Sequence, residues 1–274
     1  MSAMQVARKL KLLSAYPGAV ARRPGAALRY LVRDREFTNL TYEIDNLDEL
    51  AELVAVNLGR PRAEIESYVG EPLDDDVLLE PLREALRARS DRNDEPRFGR
   101  RLGWYAIVRA LRPQLVVETG VHDGLGSALL LRALDLNGSG RLVGFDVDPG
   151  SGWLVPAQLR SRYELVLGDV RETLPRVLAE AQVDVFIHDS LHTYEHERFE
   201  LETALQHAAP GAVLVSDNAH ATTALADVCA QHDLRFALFR ERPRDHFYPG
   251  AGLGLGLSPS AAQTASTSSS VNSG

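Results

Sequence analysis

Glu118-Thr119-Gly120-Val121-His122-Asp123-Gly124-Leu125-Gly126-Ser127 is the stretch on which the fold turns. It follows an apolar, β-branched run at 114–118 and precedes a helical pattern, so it reads as strand, tight turn, helix. Glycines let the backbone turn sharply and approach a ligand where a Cβ would collide. The spacing separates ligand classes. A dinucleotide fingerprint is G-x-G-x-x-G, with a helix N-terminus aimed at pyrophosphate. Here the pattern is E-x-G-x-x-x-G, which suits a ligand with an amino-acid end and no phosphate. An ordinary glycine-rich turn would look the same, so the motif needs support from the strands around it.

Outward from this loop, strands are predicted at Gln114–Glu118, Arg141–Asp146, Tyr163–Leu167, Val183–His188, Ala212–Asp217 and Arg235–Arg240. The Gly-rich run Gly252–Leu257 supplies a seventh, closing strand. Helical patterns lie between them at Ser127–Ala133, Thr173–Ala181, Tyr194–Ala208 and Thr222–His232, with an amphipathic helix Leu102–Leu111 leading in. Alternating strands and helices imply an α/β fold, a doubly wound and mainly parallel seven-stranded sheet. Such a sheet binds its ligand at the carboxyl ends of its strands.

The flanks read differently. Residues 1–95 form a helical N-terminal extension, expected to cover the sheet domain, touch substrate or build a dimer contact. Its clearest helix starts at Asn46, where Asn46 and Glu49 resemble a capping box, and closes at Gly59. Further helices are predicted from Pro61 to Gly70 and over Asp75–Arg89, with Pro81 tolerated near the first turn. The sheet domain spans 96–257, and the Ser/Thr-rich segment 258–274 reads as a disordered tail.

Composition narrows the partners. A net charge of -8 over 274 residues argues against nucleic acid, whose phosphates demand a basic footprint. The single cysteine, Cys229, excludes an internal disulfide and fits a reducing cytoplasm. Residues 1–35 are basic, but no apolar run of about 7–15 residues makes them a secretory signal. No stretch reaches the roughly 18 apolar residues of a membrane span.

The strand ends carry the chemistry. Asp146 closes the second strand about 20 residues beyond the glycine loop, where an acid can accept from both hydroxyls of a ribose. Asp169 and Val170 follow the third strand, suited to an adenine edge. Asp189 ends strand four and Asp217-Asn218 ends strand five. Adjacent strands lie about 4.8 Å apart, so these residues should converge on one rim. Two carboxylates and an amide oxygen suit Mg²⁺. His192, three residues past Asp189, could reach a hydroxyl held there and act as general base. Read singly, Asp217 or Asn218 could cap the next helix, and His192 could be a surface histidine.

In order and spacing these motifs resemble the class I S-adenosylmethionine-dependent methyltransferases over Arg100–Leu257. The resemblance implies that Glu118, Gly120, Gly124 and Ser127 hold the methionine portion of the donor, Asp146 its ribose, and Asp169 with Val170 its adenine. The fourth and fifth strand ends are similar to those of the metal-dependent O-methyltransferases, both the catechol type and the macrocin- and mycinamicin-type sugar enzymes. That likeness implies a catalytic pair of Asp189 and His192 and a metal held by Asp189, Asp217 and Asn218. The histidine at 192 matches the sugar enzymes, whereas the Asp217-Asn218 pair is closer to the catechol type. The implied reaction is methylation of a hydroxyl on a small molecule, a saccharide or hydroxylated natural product, by a cytoplasmic homo-oligomer. A nucleotide-cofactor oxidoreductase and a non-catalytic, partner-binding scaffold are the competing classes.

Overall fold

The computed structural model describes residues 3–37 and 39–257; the expected tail at 258–274 lies outside the described residues. The helices are α1 (Ala3–Ala15), α2 (Pro17–Arg22), α3 (Pro24–Arg33), α4 (Leu47–Leu58), α5 (Arg62–Gly70), α6 (Asp76–Arg87), α7 (Arg101–Leu111), α8 (Leu125–Asn137), α9 (Val170–Leu178), α10 (Tyr194–Gln206) and α11 (Ala224–Gln231). The strands are β1 (Leu115–Thr119), β2 (Arg141–Asp146), β3 (Tyr163–Leu167), β4 (Val183–His188), β5 (Ala208–Asp217), β6 (Arg235–Arg240) and β7 (Gly252–Leu257). They form one sheet in the order β3-β2-β1-β4-β5-β7-β6. The first five are parallel, and β7 runs antiparallel to both β5 and β6.

The central strands are buried on both faces, which is why they are continuous apolar runs without alternation. One core lies between the sheet and α4–α8, from Leu50, Val54 and Leu78 through Trp104 and Leu129 to Val116 and Leu253. The other lies between the sheet and α9–α11, around Phe145, Leu174, Phe186, Leu201 and Val228. Strand β7, Gly-Leu-Gly-Leu-Gly-Leu, sorts by face: Leu253, Leu255 and Leu257 enter the first core. A Cβ on Gly254 would come within 2.6 Å of Leu225, and one on Gly256 within 2.8 Å of Cys229, so the glycines let α11 lie close. Cys229 itself is buried there.

The helical extension is continuous with this architecture. Helix α7 is buried from Leu102 to Val108, far more than an amphipathic surface helix, because α4 and α5 pack on its outer side. Helices α1–α3 gather around Phe247 with Ala27 and Tyr30. Residues 43–45 also pair with 242–244, through Asp45 N to Arg242 O at 2.8 Å and Arg244 N to Glu43 O at 2.7 Å. No helix among the described residues is long and apolar enough to cross a membrane.

Three expectations are corrected. Asn46 precedes α4 but makes no capping bond with its side chain. Its amide instead donates to Glu49 at 2.9 Å and to the Arg240 carbonyl at 3.0 Å, and accepts from Arg242 N at 2.8 Å, tying α4 to the end of β6. Helix α9 starts at Val170, ahead of Thr173, because the Asp169 side chain accepts from Arg171 N at 2.9 Å and caps it. Strand β5 begins at Ala208, ahead of the expected Ala212, because Pro210 is accommodated beside an irregularity in the β4–β5 register. Pro81 sits inside α6, and the Val77 carbonyl that it cannot serve accepts from Gln158 Nε2 at 3.4 Å.

Candidate active site

Strand register builds the rim. Thr119 of β1 aligns with His188 of β4, and His188 with Ser216 of β5. The residues one step further, Gly120, Asp189 and Asp217, therefore leave the sheet side by side. Gly120 has φ +83°, and a Cβ there would lie 2.2 Å from the Asp189 carbonyl oxygen. The first glycine of the loop is thus required by the neighbouring strand end. Gly124 has φ +89° as it opens α8, and its Cβ would meet Gly152 at 2.8 Å.

Asp189, His192 and Asp217 come together, with potential ligand atoms all within 4.8 Å of one another. Two arginines that the sequence reading did not single out govern this cluster. Arg100 is buried and grips Asp217 with both prongs, Nε to Oδ1 at 2.7 Å and a second, shorter contact to Oδ2. It also donates to Glu241 at 3.0 Å and to Asn218 Oδ1 at 3.3 Å. Arg101 lies over the Trp104 ring and donates to Asp189 Oδ2 at 3.1 Å. Burial and then the neighbouring Asp217 push Asp189 well above the usual carboxylate range. Burial acts on Asp217 too, but Arg100 and Arg101 outweigh it and hold that acid below its ordinary value. Asp217 is thus the acid that the arginines hold as an anion, and Asp189 the one whose charge burial disfavours.

His192 is oriented by the same arginine. Arg100 fixes the Asn218 amide, whose Nδ2 donates to His192 Nε2 at 2.8 Å, so Nε2 is the acceptor and the proton belongs on Nδ1. Burial lowers this histidine to about 4 and keeps the imidazole neutral. Asn218 takes φ +52°, which turns its amide back over the rim. Beneath lies His188, whose ring meets that of His192 edge-on at 5.2 Å. His188 Nδ1 bonds Glu200 at 2.6 Å, and Glu200 also accepts from Thr119, Ser190 and His196. The histidines at 188 and 196 are thus held by one buried carboxylate.

The other expected residues spread along the ends of β1, β2 and β3. Glu118 points into the protein, where Ser127 donates to it and Gly126 leaves it room. Burial pushes it up to about 8. Asp146 accepts from His122 N at 2.7 Å and Asp148 N at 2.9 Å, one bond to each oxygen, and stays accessible with lone pairs to spare. Asp169 is exposed, whereas the Val170 side chain is buried against Leu174 and Phe145. A cavity of about 460 Å³ opens between Gly120, Asp189, His192 and Asn218 on one side and Leu12 of α1 with Tyr16, just before α2, on the other.

Glu118 gives a direct electrostatic test. Its folded value is raised from the ordinary 4.5 to about 8. The stability it contributes is therefore complete below about pH 4.5 and is lost as the pH rises through 8. Glu118→Gln should match the wild type in melting temperature at pH 5 and exceed it by several degrees at pH 9. Parallel melting curves for the two proteins from pH 5 to 9 would refute the assignment.

Residues 117–219 match a family model described as a methyltransferase domain. No curated protein sequence matches the chain significantly. Among solved structures, the chain is similar to the O-methyltransferase from Bacillus cereus in complex with SAH. That likeness has a TM-score of 0.55 and 16% identity, over 76% of this chain and 99% of the other. It is also similar to the cofactor-bound Rv0187 protein from MTB, with a TM-score of 0.51 and 21% identity, over 70% and 95% of the two chains. At these identities the likeness is one of fold. Residues 117–219 thus match a methyltransferase-domain model, and they lie within a seven-stranded sheet whose fold is that of the O-methyltransferase from Bacillus cereus.

Proposed function

We propose that the protein moves a methyl group from S-adenosylmethionine to a hydroxyl of a small molecule, using His192 as general base beside a divalent cation site at Asp189, Asp217 and Asn218. The observation that carries this reading is the convergence of Asp189, His192 and Asp217 at the rim next to the glycine loop. The donor fits the strand ends: the spare lone pairs of Asp146 suit a ribose diol, and the loop from Gly120 to Gly124 opens on the same cavity.

The donor set also fits a hard cation. Two carboxylates meet, Asp217 buried and Asp189 half-buried, and an amide oxygen stands beside them. Bound there, Mg²⁺ would acidify an acceptor hydroxyl and neutralise developing charge. The residues do the rest. Asn218 presents the neutral His192, Arg101 holds Asp189 in place, and Leu12 and Tyr16 narrow the access of water from the α1 side. Adjacent oxygens, as on a saccharide or hydroxylated natural product, suit such a site best. A second reading is favoured by Arg100, which already engages both oxygens of Asp217: the guanidiniums could serve in place of the cation.

Calorimetric titration with S-adenosylmethionine tests the first half. The wild type should bind it and NADH should not bind, while Asp146→Ala should weaken donor affinity by about tenfold or more, the cost of one charge-assisted bond. A folded wild type that ignores S-adenosylmethionine would remove the reading. Turnover of diol acceptors with Mg²⁺ and with excess chelator separates the rest. Stimulation by Mg²⁺ that vanishes in Asp189→Asn supports the cation, and full activity in chelator supports the paired arginines.

A further inference from the structure

A second cleft, of about 320 Å³, lies between α3 and the 242–248 segment, and Tyr42 lines both it and the methyl-transfer cavity. Four arginines line it: Arg29, Arg33, Arg97 and Arg244. Asp34, Glu43 and Asp245 line it as well. Three of the arginines have carboxylate partners, Arg29 with Asp245 at 2.8 Å, Arg97 with Asp34 at 3.6 Å and Arg244 with Asp45 at 2.7 Å. Arg33 has none among the described residues, although it is exposed at the end of α3.

His246 supplies an independent observation. It lines the same cleft and is 4% exposed. Its Nδ1 accepts from Tyr248 N at 3.1 Å, so the ring proton belongs on Nε2. That Nε2 has no hydrogen-bond partner among the described residues. A buried N–H left without an acceptor is costly, and native proteins rarely leave one unmet. Tyr42 and Tyr30 hold the ring on two sides, at centroid distances of 5.1 and 5.5 Å, so the donor cannot simply swing away to solvent.

We propose that this cleft binds an oxyanion, a carboxylate or phosphate group of a small molecule, with Arg33 and Arg97 as its charged clamp and His246 Nε2–H as its neutral donor. Guanidiniums match the planar, two-pronged geometry of such groups, and an uncommitted arginine has the least to lose on engaging one. The neutral donor adds directionality and receives the acceptor it lacks. The site stands apart from the donor-binding loop, so it does not depend on the methyl-transfer reading.

The test titrates inorganic phosphate into the full-length protein at low ionic strength, following the His246 side-chain ¹⁵N–¹H resonance and binding heat. A saturable shift at Nε2 is expected. Arg33→Ala and Arg97→Ala should each weaken phosphate by about tenfold. Arg62→Ala, an exposed arginine on α5, serves as the control and should leave it unchanged. Arg33→Ala removes a side chain with no structural partner, so loss of folding cannot mimic loss of binding. No saturable shift, or equal weakening in Arg62→Ala, would overturn the site. S-adenosylmethionine affinity should stay the same in all three variants, which keeps this outcome separate from the fate of the methyl-transfer reading. The source of the anion follows from turnover. If phosphate raises the KM of carboxylate- or phosphate-bearing acceptors and spares neutral diols, the acceptor itself occupies the cleft. If it alters neither while still binding, a free oxyanion does.

Discussion

Arg100→Met is expected to lower the free energy of unfolding by about 3–5 kcal/mol, the largest stability loss of any single substitution at the rim. The reason is charge left behind. Arg100 is the cation between Asp217 and Glu241, whose side chains are fully buried. Glu241 further accepts from the Arg100 and Ala251 amides and from the Tyr42 hydroxyl. Without the guanidinium, two carboxylates face one another across a low-dielectric interior, and at least one must take up a proton to remain there. The loss should appear as a shift in urea midpoint at unchanged slope, because the same surface is exposed on unfolding. Arg100→Lys keeps the charge but cannot form the two-pronged contact, and it should fall between the two. If Arg100→Met does not fold, the lysine variant still ranks the effect. A methionine variant within about 1 kcal/mol of wild type would mean that the buried triad contributes little.

The same arginine marks where sequence reading ran out. Strands β2, β3, β4, β6 and β7 were legible to the residue; for β2, β3 and β4 the reason is an apolar run that a Gly or Asp closes. Asp189, His192 and Asp217 were placed on one rim, since parallel register forces neighbouring strand ends together. Arg100 and Arg101 were missed because their partners are 117 and 88 residues distant. A local signal was nonetheless present: two cations at the start of an apolar helix oppose its dipole, so their placement needs another cause. The Asn46–Glu49 pattern misled in the opposite way. It has the spacing of a capping box, but the tertiary partners at 240 and 242 compete for the asparagine and win. Glu118 shows a third limit. Its spacing to Gly120 marks the loop, yet nothing in spacing tells that its carboxylate folds inward onto Ser127.

His192→Ala is expected to lower kcat by about 10²–10⁴ while leaving S-adenosylmethionine affinity unchanged, the signature of a base used only in the chemical step. The geometry supports both halves. Nε2 holds its lone pair toward the rim, 3.7 Å from Asp189 Oδ1, and Asn218 is the donor that keeps it there. His192 makes no hydrogen bond to the 118–127 loop, so its removal should not disturb donor binding. The low intrinsic basicity that burial imposes is the cost of keeping the ring neutral beside two arginines. On the proposed mechanism, an acceptor hydroxyl would displace the Asn218 amide from Nε2 to hand over its proton. Asn218→Ala should therefore act on the orientation of the base, lowering kcat less than His192→Ala does. Adding imidazole to His192→Gly should restore part of the rate if proton removal is the lost function. A His192→Ala enzyme with kcat within about twofold of wild type, at equal donor affinity, would assign the proton to another acceptor.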